Sequence, residues 1–202
     1  MRSAGVLLVS GLAFGLAAAW VPSLGPVWNE RPPSQLLLIS DRPVAWRLSS
    51  LLFAGGLILA LFGVLVLCGQ LLNAGAESAA WVGIGSFAVG TTLWLIHLGY
   101  RITVMVSVAT EMKDGAAMPD WLLPTWDLGN YLLVAYVALA SIGLIAIGVG
   151  FLQTALLPAW SAWTIIGLAA VFVFTLAIFR NTMPVLPHLA TGLVGVVALI
   201  HI

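Results

Sequence analysis

The chain has 202 residues, of which 62% are hydrophobic and 7% charged, with a formal net charge of zero and a mean hydropathy of +1.14. An ordinary soluble domain carries roughly a quarter charged residues, so these charges are too few to cover a water-facing surface, and lipid is the expected solvent. The balanced charge offers neither a basic field nor an acidic tail, which excludes nucleic acid as a partner.

A helix needs about 20 apolar residues to cross the hydrocarbon core, and only a helix or a closed barrel satisfies its own backbone there. Six runs reach that length, at 4–24, 48–72, 79–103, 128–155, 159–179 and 184–202. They are continuous rather than alternating, which argues against a β-barrel. The predicted class is all-α: one polytopic transmembrane helix bundle of about six spans over 1–202, with long connections at 25–47 and 104–127. The first run begins Met1-Arg2 and ends in Ala17-Ala18-Ala19, as a cleavable leader can, but it is long enough to span and is expected to stay as helix one.

The breaks between runs have physical causes. Pro22, Pro26, Pro32, Pro33 and Pro43 keep the stretch after the first run from forming a regular helix. Asn73 to Ser78 reads as a short polar turn, Pro119 and Pro124 punctuate the stretch before the fourth run, and Pro158 sets a tight hairpin into the fifth. Pro184 and Pro187 suit the first turn of the sixth.

With an even number of spans, the odd connections share one side. They carry Glu30, Arg31, Asp41, Arg42, Arg47, Arg101, Glu111, Lys113, Asp114, Asp120, Asp127 and Arg180, and the opposite side keeps Arg2 and Glu77. Six Lys and Arg against one place the odd connections in the cytoplasm. Gly11-x-x-x-Gly15, with Ala135, Ala138, Ser141 and Gly148, suits close helix packing within the chain. Trp20, Trp81, Trp121, Trp126, Trp160 and Trp163 fall near span ends and read as an interfacial belt.

Ionisable groups in lipid are costly unless they face the bundle interior or reach the interface. Three polar elements therefore define the candidate site. His97, Tyr100 and Arg101 close the third run, with His97 and Arg101 four apart on one face. Asp127, Asn130 and Tyr131 open the fourth, where Asp127 can cap the helix. Arg180 and His188 flank the start of the sixth. All reach the same membrane face and can line one ligand-binding vestibule, with an Arg101–Asp127 ion pair and His97 meeting His188 across it. The competing reading has Arg101 and Arg180 reaching the headgroups, Asp127 acting only as a cap, and each histidine bonded to a nearby carbonyl.

No cofactor is expected, a haem held by His97 and His188 being the alternative. Cys68 stands alone, which excludes an internal disulfide, a cysteine zinc site and an iron–sulfur cluster. There is no His-Glu-x-x-His, and Gly83-Ile84-Gly85-Ser86 is only part of a serine-nucleophile motif. No metal or catalytic residue is assigned, and no carboxylate lies mid-span to couple transport to protons or sodium.

Trp46-Arg47-Leu48, Leu93-Trp94-Leu95 leading to Tyr100-Arg101, Leu157-Pro158-Ala159-Trp160, and Pro184 to His188 together resemble a broad group of uncharacterised bacterial six-span membrane proteins, classed as a domain of unknown function. The resemblance implies a six-helix fold and a bacterial inner membrane, and no activity. The residues themselves lead to a membrane protein that binds or senses a small amphiphile or lipid. An accessory subunit held by a membrane protein partner is the alternative, followed by a small transporter and then an enzyme.

Overall fold

The computed structural model describes residues 1–21, 24–179 and 185–201. Among them the chain is α-helical without strands: α1 (Arg2–Ala19), a 3-10 turn (Pro26–Asn29), α2 (Ser34–Asp41), α3 (Pro43–Asn73), α4 (Glu77–Ile102), α5 (Val104–Lys113), α6 (Leu122–Thr154), α7 (Ala159–Phe179) and α8 (Leu186–Ile200). The all-α bundle expected from the apolar runs is the fold observed. α1, α3, α4 with its continuation α5, α6 and α7 are long and apolar enough to cross a membrane, as in a multi-pass membrane protein. The sixth run forms the shorter α8, whose buried residues recur along most of its length.

The long helices close on one another. α1 packs on α3 and α8, α3 on α4, α4 on α6, α6 on α7, and α7 returns to α8. Small residues make the closest crossing possible: a Cβ on Gly11 would stand 2.9 Å from the Gly56 carbonyl, and one on Gly56 would stand 2.9 Å from the Gly11 carbonyl. The glycine spacing in α1 thus serves packing within the chain, where dispersion contact rather than water exclusion holds helices together. A core of Leu8, Phe53, Leu67, Phe87, Leu144 and Phe151, among others, fills the bundle.

Helix ends follow local chemistry. After α3, the Ala76 amide donates to the Leu71 carbonyl and the Gly75 amide to Leu72, with Gly75 at φ +90°. After α5, the Ala116 amide donates to Glu111 and the Gly115 amide to Met112, with Gly115 at φ +98°. Both are the paired bonds of a glycine-terminated helix, where a left-handed residue reverses the chain without a Cβ penalty.

The two long connections are themselves largely helical. α3 starts at Pro43 and α6 at Leu122, each about a turn or more before the apolar run, because a proline in a first turn lacks only an amide that would have no intrahelical partner. α2 and α5 are too short to span, but each has one buried stripe: Leu36 and Ile39 on α2, and Met105, Val106, Val108 and Ala109 on α5. They pack on each other. With Leu24, Val27, Trp46 and Leu122 these residues build a second small core. It forms a cap over the charged end of the bundle. Gln35 ties it together, its Nε2 donating to the Val27 carbonyl at 3.2 Å and its Oε1 accepting from Trp126 Nε1 at 2.9 Å.

Candidate functional site

The buried face of α4 carries Thr91, Trp94, His97, Leu98 and Arg101, the three-and-four spacing of one helical stripe. Arg101 is 3% exposed, so its guanidinium is enclosed by the protein rather than extended away from it. Its charge lies against two indoles, with the central carbon 4.0 Å from the Trp46 ring centroid and 4.9 Å from that of Trp28. Trp46 Nε1 also donates to the Arg101 carbonyl at 3.1 Å, filling an acceptor that the end of α4 leaves free.

Two expectations for Asp127 are corrected. α6 begins at Leu122 with Trp121 at its N-cap position, so Asp127 sits in the second turn of an established helix and is not a cap. It is exposed and makes no ion pair with Arg101; among the described residues, the ion pair present joins Lys113 to Asp41 at 2.8 Å. The physical reason is register: the helix starts five residues before Asp127, and the stripe that meets α4 is set by Gly129 and Leu133 instead. Asn130 is exposed and Tyr131 is 72% exposed. Tyr100 is half-buried, its hydroxyl 3.0 Å from Thr125 Oγ1. Arg180 lies outside the described residues.

The histidines occupy separate surroundings. His97, 8% exposed, stacks on Trp94 with ring centroids 4.7 Å apart, and its Nδ1 side is where a Cβ on Gly129 would intrude. His188, 1% exposed, lies 6.3 Å from the Phe53 ring, and a Cβ on Gly15 would stand 2.8 Å from its Cγ. Among the described residues no ring contact joins the two imidazoles, and His97 Nδ1 and both His188 nitrogens lack a hydrogen-bond partner, so the carbonyl bonds expected of them are absent at those atoms. Phe53 and Trp28 connect the His188 region to Arg101, at 6.3 Å from each other.

Among the described residues, the buried side-chain nitrogens without a partner are Trp94 Nε1, His97 Nδ1, Arg101 Nε and Nη2, and His188 Nδ1 and Nε2. All belong to the inner face of α4 or the first turn of α8. Leaving a buried polar group unpaired costs roughly 1–3 kcal/mol, and Trp94, His97 and Arg101 bring four of these six nitrogens onto the one buried stripe of α4. No group of three or more metal-ligating side chains occurs among the described residues.

The sequence reading missed Trp28, Trp46 and Trp94. A signal was present. Six of the nine tryptophans fall near predicted span ends, and these three are the remainder. Trp20, Trp81, Trp121, Trp160 and Trp163 are exposed as a belt requires, whereas Trp46 and Trp94 are almost fully buried.

Asp41 and Lys113 join the ends of α2 and α5, and the Lys113 ammonium, by hydrogen bond and charge, holds the Asp41 carboxyl below the ordinary aspartate range. The pair fastens the cap on its solvent side.

Comparison of the chain with protein-family models, curated proteins and solved structures gives no match. The fold and the α4 site therefore carry the functional argument by themselves.

Proposed function

We propose that this protein binds or senses a small amphiphile or lipid at the charged end of its bundle, beneath the α2–α5 cap. The observation that supports it is Arg101, buried with no carboxylate partner among the described residues and with two donors unpaired. Taking an ion out of water costs several kcal/mol. A desolvated cation over an indole recovers about 2 kcal/mol, and an indole face gives the N–H donors no lone pair. A ligand with a polar head and an apolar body would meet the donors and the aromatic walls together. The same reading places the protein in a bacterial inner membrane, odd connections in the cytoplasm, in line with the six-span group it resembles.

Lipid extraction and mass spectrometry of the purified protein, with melting temperatures across lipid classes, test the proposal. A co-purifying amphiphile and a melting temperature that depends on lipid class are expected. An empty extract with invariant melting would overturn it.

A further inference from the structure

The two unpaired donors of Arg101 are not arbitrary. Nε and Nη2 form one edge of the guanidinium, the side-on edge whose parallel N–H bonds match two oxygens of a carboxylate or phosphate. Both atoms are buried and unpartnered. The charge is met by the rings of Trp28 and Trp46, and the acidic residues that follow Arg101 up to the start of α6 and beyond, Glu111, Asp114, Asp120 and Asp127, are exposed. Arg101 is the next-to-last residue of α4, where α4 meets the α2–α5 cap, while Phe53, 6.3 Å from Trp28, continues the apolar wall.

We infer that the Nε–Nη2 edge of Arg101 is a subsite for one oxyanionic group, a carboxylate or a phosphate, with Trp28 and Trp46 as its aromatic walls. The inference rests on the amphiphile-binding reading and deepens it: the ligand is an anion. A neutral headgroup could supply dipoles but no charge to a guanidinium already removed from water. An oxyanion supplies both the countercharge and two acceptors at the required spacing. The two sources of that chemistry are an anionic amphiphile and a free oxyanion.

The test uses the full chain in a neutral detergent with 15N-labelled arginine side chains, titrated separately with sodium oleate, dioleoyl phosphatidate, oleyl alcohol and inorganic phosphate. The Arg101 Nε–H resonance is assigned as the one missing from Arg101→Lys. A saturable shift of that resonance with oleate or phosphatidate, none with oleyl alcohol, and roughly tenfold weaker binding to Arg101→Lys are expected, since lysine keeps the charge but not the two-donor edge. The wild-type resonance reads the site even where the variant folds poorly. If oleate, phosphatidate and oleyl alcohol all bind while the Arg101 resonance stays still, the subsite is overturned and amphiphile binding stands. If inorganic phosphate alone moves it, the oxyanion subsite is upheld and the amphiphile reading falls. If no probe moves it, the subsite is overturned.

Discussion

Trp46 holds Arg101 twice: its ring lies 4.0 Å from the guanidinium carbon, and its Nε1 donates to the Arg101 carbonyl at 3.1 Å. The first contact offsets part of a buried charge and the second fixes the end of α4 against the start of α3. Trp46→Phe keeps a ring but loses the N–H bond and weakens the cation–π contact, so a loss of about 1–2 kcal/mol is predicted. Chemical unfolding in mixed micelles measures it. A variant as stable as the wild type would show that the indole only fills space.

Asp127 offers the contrasting case. It is exposed and unpaired with Arg101, so Asp127→Ala should change stability by no more than about 0.5 kcal/mol. In a double-mutant cycle with Arg101→Ala, additivity within about 0.5 kcal/mol is expected. Coupling of several kcal/mol would mean that the two side chains meet after all.

Glycines beside the two histidines separate packing from helix propensity. Alanine normally improves a helix over glycine by about 1 kcal/mol. At Gly15 and Gly129 the new Cβ would strike His188 and His97, and Gly15→Ala and Gly129→Ala should each destabilise by about 1–3 kcal/mol. Gly85→Ala meets nothing within 4 Å and should be neutral or slightly stabilising. If all three behave alike in melting experiments, the close histidine contacts are wrong.

The cap carries a pH signature. Because pairing with Lys113 depresses the folded-state pKa of Asp41, its contribution is complete above the unfolded aspartate value. It is lost as pH falls through the folded value. The carboxyl resonance of Asp41 should therefore titrate below an ordinary aspartate and return upward in Lys113→Met or in high salt. An Asp41 midpoint that ignores both changes would remove the clasp.

Orientation can be read at Ala116, which is exposed beyond the end of α5. Leu36, in the other long connection, is fully buried in the cap and would not report. In a Cys68→Ser background, Ala116→Cys should resist an impermeant thiol reagent applied to intact cells, as the positive-inside count requires. Rapid labelling from outside would reverse the topology.

The bundle was legible because lipid imposes one rule on every span: a long apolar run. Each predicted run has a helix in place, and α7 covers 159–179 as expected. The cap was not legible as structure, because α2 and α5 bury only short stripes, and the prolines around α2 suggested an irregular chain although prolines in first turns do not break helices. At the site, the stripe of α4 could be read from the spacing of His97 and Arg101. Their partners could not. Trp28 and Trp46 reach Arg101 from distant sequence through tertiary packing, and the charge rule that nominated Asp127 took no account of aromatic faces. His97 and His188 are both buried, but pairing them across one cavity assumed an open space that Phe53, Trp94, Gly15 and Gly129 help to fill.

The most direct measurement is an experimental structure of the full chain purified with its native lipids in nanodiscs. The account predicts an elongated density whose polar end lies about 2.7–2.9 Å from Nε and Nη2 of Arg101, with its body along Trp28 and Phe53. A carboxylate of the chain itself on that edge, or ordered water alone, would contradict it.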